Sequence, residues 1–252
     1  MKLPAAPFRP NRLALANCEA RIHEQIKLLY ADPTGKSEPI LDGIIDHDLY
    51  CSATPRIMWI LKEPWDESEC SGGGWSICSD LLATRPVKEL SQSTFHPIIY
   101  IAYGIYKDID TYEDIPWIRN MEDPEGILRR LAFINAKKLP GVTTGASASS
   151  ILEWFERGKS VIMDQIKSYC PDIIFACGPH LDAILDNLDK DWRDRIKPPT
   201  GSTRFVWCGD TLIISVYHPG QRTITRERYV EEAIATVKSA YCERGLALPA
   251  PR

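Results

Sequence analysis

The sequence has 252 residues, of which 44% are hydrophobic, and it carries a formal net charge of −4. This length and apolar content are enough for one domain with a full hydrophobic core, and no repeat or low-complexity tract divides residues 1–252. The acidic balance provides no overall field that would attract a polyanion, so contact with nucleic acid requires local basic patches.

The N-terminal residues and the cysteine spacing bear on localisation and cofactors. Residues 1–7 contain no uninterrupted apolar stretch of the kind that signal peptides carry, and no apolar run approaches the length of a membrane span. The eight cysteines are scattered without a C-x-x-C pair, and the five histidines offer no metal-ligand spacing. We therefore expect a cytoplasmic protein with no membrane partner, no metal and no cofactor.

The hydrophobic pattern predicts helices that alternate with short buried strands. Apolar residues recur at helical spacing from about Leu13 to Tyr30, and this helix is expected to end at the proline and glycine of residues 31–35. Further helices are predicted at 94–107, at 125–130, from a Ser150–Glu153 capping box onward, across 181–188 and around 229–237. Strands are predicted at 57–61, 131–134, 171–178, 205–208 and 211–217, the last two as a hairpin.

Two segments of the sequence fit no regular pattern clearly. Residues 42–51 fit either a short strand or an irregular lead-in to the central strand, and residues 108–124 predict a surface excursion. The alternation of strands and helices elsewhere predicts the α/β class, as a three-layer α/β/α sandwich around a central, mainly parallel sheet.

Polar side chains follow three of the predicted strands at the point where each strand ends. Glu63 follows the central strand and precedes Pro64, which ends strand pairing; Asn135 and His218 follow two later strands. Open α/β sheets bind ligands at the carboxyl ends of their strands. The carboxylate, the amide and the imidazole therefore predict a common site.

Trp75 follows a run of three glycines, residues 72–74, and precedes a predicted helix that starts near Ser76. The glycines permit close approach of a ligand to the backbone, and a large indole at this position needs a flat surface to pack on. Packing on the core and stacking on a ligand are both consistent with the pattern.

Over roughly residues 55–240 the chain resembles the uracil-DNA glycosylase superfamily, as a divergent member. Leu61-Lys62-Glu63-Pro64-Trp65 is similar to the Gly-Gln-Asp-Pro-Tyr motif of the best-known family of that group. Gly74-Trp75-Ser76 resembles its small-residue, Phe, Ser segment, and His218-Pro219-Gly220 resembles its His-Pro-Ser motif. Asn135 matches its strand-end asparagine.

The resemblance implies a fold of this superfamily and a role for each matching residue. Glu63 is expected to position the attacking water, while His218 and Asn135 bind the leaving base. Trp65 is expected to form the wall of the base pocket, and Trp75 to stack on the extruded base. The expected DNA contacts are Pro64, Lys138, Gly220 and Arg222, the last as a wedge into the duplex, with Gln221 and Ile224 as rivals.

The sequence also departs from the family pattern. Leu61 replaces the glycine of the first motif, Lys62 is unusual there, and Glu63 is one methylene longer than aspartate. Gly220 lacks the serine hydroxyl that would contact phosphate. The close cysteine pair of the iron–sulfur members is missing, so we expect no iron–sulfur cluster.

These residues predict a DNA base glycosylase that excises uracil or another deaminated or damaged base by base flipping, in base-excision DNA repair. The expected partner is single- or double-stranded DNA carrying a modified base. One alternative is a hydrolase of free nucleosides or nucleotides with the same fold. Another is a catalytically silent module that binds a modified base or a protein.

Three of the candidate site residues can also have a purely structural role instead of a catalytic or binding one. Glu63 can simply pair with Lys62 or Lys137 at the edge of the sheet. His218 can be a buried histidine that donates to a backbone carbonyl, and Asn135 can cap a strand end.

Overall fold

The computed structural model describes residues 11–31, 37–66, 72–141, 147–198 and 201–248. The N-terminal stretch 1–7, the predicted helix stop at residues 32–35 and residues 67–71 of the glycine-bearing loop lie outside the described residues. The protein belongs to the α/β class and has a mixed six-stranded sheet. Within the described residues, no helix is both long enough and apolar enough to cross a membrane.

The described residues form eight α-helices and six strands, joined in places by shorter helical turns. The helices are α1 (Arg12–Leu29), α2 (His47–Ser52), α3 (Phe95–Lys107), α4 (Pro124–Arg129), α5 (Ala148–Tyr169), α6 (Leu181–Leu188), α7 (Trp192–Arg195) and α8 (Arg226–Glu243). The strands are β1 (Gly43–Ile44), β2 (Ile57–Leu61), β3 (Leu131–Asn135), β4 (Ile173–Cys177), β5 (Arg204–Cys208) and β6 (Thr211–Val216). A π-helix spans Ile77–Leu82, and 3₁₀ turns span Val87–Glu89, Tyr112–Asp114 and Ile118–Asn120.

The strands are ordered β1-β3-β2-β4-β6-β5 across the sheet. The four central strands β3, β2, β4 and β6 run parallel to one another, whereas β1 and β5 pair antiparallel at the two edges. Because the four central strands are parallel, their carboxyl ends all lie at the same edge of the sheet.

Strand β2 is central because its side chains are apolar on both faces. Ile57, Trp59 and Leu61 belong to one core cluster, which also contains residues of α3 and α8. Met58 and Ile60 belong to a second cluster, which contains residues of α1, α5 and α6. A continuous apolar run is what a parallel strand buried on both faces requires.

Most of the predicted elements are confirmed, with boundaries shifted by one or two residues; α8 is longer than predicted and begins three residues before 229 and ends six residues after 237. The hairpin of β5 and β6 turns at Gly209 and Asp210, as predicted. Residues 42–51 contain both β1 and α2. Helix α5 starts earlier than the predicted capping box, at Ala148, because the Ser147 hydroxyl accepts the Ser150 N–H and so caps the helix.

The predicted surface excursion at residues 108–124 is only partly correct. It consists of irregular chain with two 3₁₀ turns, but four of its apolar side chains are buried in the core. These are Tyr112, Ile115, Ile118 and Met121. The segment therefore covers one side of the core as a packed loop.

The strand register places the four parallel strand ends at one level. Leu61 pairs with Asn135, Ile60 pairs with Ala176, and Cys177 pairs with Val216. The residues that follow each strand therefore emerge side by side along one edge of the sheet.

Candidate functional site

The residues that follow the four parallel strands form what we call the strand-end site: 62–65 after β2, 135–138 at the end of β3, 178–180 after β4 and 217–220 after β6. Neighbouring strands lie about 4.8 Å apart, so β3 and β6, three spacings apart, are separated by about 14 Å. Glu63, Asn135 and His218 all lie in this site, at the strand ends where they were predicted.

Glu63 makes an ion pair within the site. Its Oε2 accepts a hydrogen bond of 2.7 Å from Lys137 Nζ, and the side chains are 10% and 12% exposed. The pair links the chain after β2 to the chain after β3, next to the backbone bond from Lys137 N–H to the Lys62 carbonyl. Lys137 thus fixes the carboxylate in one orientation, which is the structural alternative expected from the sequence, and a role in positioning water stays a prediction.

Asn135 is held in a buried polar network. Its backbone N–H donates to Asp42 Oδ2 over 2.7 Å, and its side-chain Nδ2 lies 3.4 Å from the same oxygen. The Lys138 ammonium lies 2.7 and 2.9 Å from the two Asp42 carboxylate oxygens and donates to Gln165 Oε1. Burial lowers the pKa of Lys138, and Asp42 acts in the opposite direction. In this conformation the Asn135 amide faces Asp42.

Two predicted DNA contacts are wrong. Lys138 is completely buried, and its ammonium is enclosed by Asp42 and Gln165, so it cannot reach a phosphate. Pro64 is also buried, so little of its surface can contact DNA, and its carbonyl accepts the Gly141 N–H. Both residues serve to hold the strand ends together.

His218 has a defined tautomer and charge. Its Nδ1 accepts a 3.1 Å hydrogen bond from the Gly220 N–H, so the proton of the neutral ring lies on Nε2. Burial, assisted by the positive charge of Lys62, lowers the pKa of His218 to about 4. At neutral pH the ring is therefore an uncharged donor through Nε2.

His180 and Lys62 are site residues that the sequence reading missed. Burial and Lys62 lower the pKa of His180 to about 4, and its ring stacks on Phe155 at 5.9 Å between centroids. His180 follows β4 by three residues, at the same sheet edge as Glu63 and His218. That position, two residues after the strand-ending Gly178, was the sequence feature that could have identified it.

The two tryptophans lie in different surroundings. Trp75 is partly buried and packs on the core, and its Nε1 donates to Asp66 Oδ2 over 2.9 Å. Core packing, one of the two expectations for Trp75, is therefore present. Trp65 is 56% exposed and forms a bridge with Gly141. Stacking on a base stays a prediction for both rings.

The turn after His218 presents Arg222 to solvent. The Gln221 side chain bonds to the backbone of Ile224 at both ends, as acceptor from its N–H and as donor to its carbonyl. Ile224 packs against the core. Of the three candidate wedges, Arg222 is the exposed one. Gly220 has no hydroxyl, and its backbone N–H already donates to His218 Nδ1.

A separate cavity of about 210 Å³ lies beside β1, and none of the strand-end residues lines it. Its polar lining includes Glu19 and His47, whose Nε2 lies 2.9 Å from Glu19 Oε2. A hydrogen bond with Glu19 raises the pKa of His47. Across the described ranges, no group of three or more His, Cys, Asp or Glu side chains is placed to hold a metal ion.

No protein-family model matches the chain, and no curated protein matches it.

Proposed function

We propose that the protein is a DNA base glycosylase-like hydrolase that cleaves the N-glycosidic bond of uracil or another deaminated or damaged base. The observation that carries this proposal is that Glu63, fixed by Lys137, and a neutral His218 both lie at the carboxyl ends of the parallel strands of the mixed sheet. The proposal includes a single cytoplasmic domain over residues 1–252, built as a three-layer α/β/α sandwich of the uracil-DNA glycosylase type.

Hydrolysis of this bond builds positive charge on the sugar and negative charge on the base. The electron pair of the C1′–N bond leaves with the base, the water oxygen forms the new bond to C1′, and the proton that water loses neutralises the base. Glu63 positions this water and stabilises the sugar charge. His218 donates its Nε2–H to the base oxygen on which negative charge accumulates.

Base binding and flipping use the remaining predicted residues. Asn135 reads the base edge after its amide turns from Asp42, while its backbone bond to Asp42 keeps the strand end in place. Flipping costs a few kcal/mol, which stacking on Trp65 and Trp75 offsets. Arg222, exposed on its turn, fills the vacated position in the duplex.

A hydrolase of free nucleosides or nucleotides is the second candidate. The burial of Lys138 and Pro64 favours it, because two of the four predicted DNA contacts are removed. The net charge of −4 favours it as well. A DNA enzyme binds duplex with an affinity that falls steeply with salt, and a nucleoside enzyme does not.

The proposal is tested with oligonucleotides that contain uracil, hypoxanthine or xanthine, incubated with the protein and then cleaved at abasic sites with alkali. We expect strand cleavage with at least one of them, and its loss in Glu63→Ala and His218→Ala. Absence of cleavage with every oligonucleotide, beside an active control enzyme, contradicts the proposal. Hydrolysis of the free nucleosides alone selects the second candidate.

A further inference from the structure

We propose that Lys62 makes the strand-end site an anion site, so that a nucleobase-like ring carrying a negative oxygen binds there more tightly than its neutral counterpart. This rests on the proposed function in taking such a ring as the ligand. It goes beyond that function because the proposed catalytic steps, which use Glu63 and His218, include no contact of Lys62 or His180 with the ligand.

The charges at the strand ends leave Lys62 uncompensated. Glu63 is neutralised by Lys137 at 2.7 Å, and Asp42 by Lys138 at 2.7 Å. Lys62 forms no ion pair with any residue that the structure describes. With both histidines neutral, the site therefore carries one net positive charge from these groups, which favours an anionic ligand.

The position of the Lys62 side chain follows from the glycine that ends β4. Gly178 has a φ of +125°, and a Cβ at this position would lie 3.3 Å from Lys62 Cγ and 3.2 Å from His180 Nδ1. Lys62 therefore extends from β2 across the end of β4, against the backbone of Gly178, with the His180 ring beside it. A side chain at position 178 would separate the two.

His180 provides a second observation that points to a ligand. The residue has no exposed surface, and neither ring nitrogen has a hydrogen-bond partner among the described residues. An unpaired buried polar group destabilises a folded protein, so such groups are normally paired. Stacking on Phe155 holds the ring in place. The one N–H of this neutral ring, buried beside Lys62, therefore lacks an acceptor that a ligand oxygen entering the site, or a water bound with it, would supply.

The test compares two rings of nearly equal size, uracil and barbiturate, which is an anion at neutral pH. Binding is measured by calorimetry and by the imidazole resonances of His180 and His218. We expect barbiturate to bind about tenfold more tightly than uracil, because a charged hydrogen bond exceeds a neutral one by about 1.4 kcal/mol. In Lys62→Met this preference disappears. Lys190→Met, which removes an exposed lysine beyond the far end of α6, keeps it.

His180→Phe is the second variant, and it is expected to weaken barbiturate binding while His218 still responds. Equal binding of the two rings, no binding of either, or a preference that survives Lys62→Met overturns the inference. Barbiturate preference without base excision from any oligonucleotide rejects the proposed function and leaves the anion site standing. Excision without the preference rejects the anion site alone.

Discussion

At the scale of single residues, burial decides which side chains of the strand-end site carry charge. His180 and His218 stay neutral because burial beside Lys62 lowers the pKa of each to about 4. A neutral imidazole donates a hydrogen bond without adding a charge that would repel Lys62. The chemistry proposed for the site depends on this charge state.

Stability should therefore fall as the pH drops from about 6.5 to 4. In this window an unfolded histidine binds a proton and the buried His180 does not, so the native state loses stability on acidification. The difference between a pKa of 6.5 and one of about 4 corresponds to about 3 kcal/mol. Urea unfolding at pH 7 and pH 4.5 should show a smaller loss in His180→Phe than in the wild type. Equal losses would show that His180 is not buried as a neutral ring.

The rate of base excision should depend most on the carboxylate of Glu63. Glu63→Gln keeps the shape but removes the charge, and we expect a fall of at least about 10²-fold in the single-turnover excision rate. The excision rate of Lys137→Met should fall by a smaller factor, because Lys137 only orients the carboxylate. Circular dichroism confirms the fold of both variants. A larger loss in Lys137→Met than in Glu63→Gln would reverse these roles.

At the scale of elements, the buried pair of Asp42 and Lys138 ties the segment before β1 to the end of β3, with Gln165 of α5 as a third partner. Lys138→Met leaves the Asp42 carboxylate buried without its cation. We expect a loss of about 3–5 kcal/mol in the free energy of unfolding. Adding Asp42→Asn should recover part of it in denaturant titrations. If Lys138→Met alone were as stable as the wild type, this arrangement of the buried pair would be contradicted.

Helices α1 and α5 approach closely at Gly158. A Cβ at this position would lie 1.8 Å from the Tyr30 hydroxyl, which itself donates to the Trp154 carbonyl. Gly158→Ala should therefore cost about 1–3 kcal/mol by overpacking, despite the better helix propensity of alanine. Ser160→Ala, at an exposed position of the same helix, is the control and should change the melting temperature little. Stabilisation by Gly158→Ala would show that the helices lie further apart.

The elements were predictable because their signals are local. The five-residue apolar run of β2 and the helical stripe of α1 each lie within one short stretch of sequence. The network around Asn135 was not predictable in this way, because Asp42 and Gln165 are 93 and 30 residues distant from it along the chain. Lys138 was predicted to contact DNA for the same reason: its buried partners Asp42 and Gln165 are set by the fold.

At the scale of the whole molecule, an acidic protein concentrates an unpaired positive charge at one edge of its sheet. The net charge is −4, whereas Lys62 at the strand ends has no ion pair with the described residues, and Arg222, four residues after His218, is exposed. A polyanion is therefore not attracted to the surface in general, and recognition depends on the site itself.

The position of the candidate site was predictable because parallel strands end together. The burial of Pro64 and of His180 was not, since both depend on packing between strand ends.

The most direct test of the proposed hydrolysis is the fate of the water oxygen. Modified oligonucleotides and free nucleosides are incubated with the protein in ¹⁸O-labelled water, and both products are analysed by mass spectrometry. We predict release of the intact free base, with ¹⁸O at C1′ of the sugar and none in the base, and the loss of both signals in Glu63→Gln. Release of no base from any substrate, or equal release by Glu63→Gln, would contradict the claim that this site hydrolyses an N-glycosidic bond.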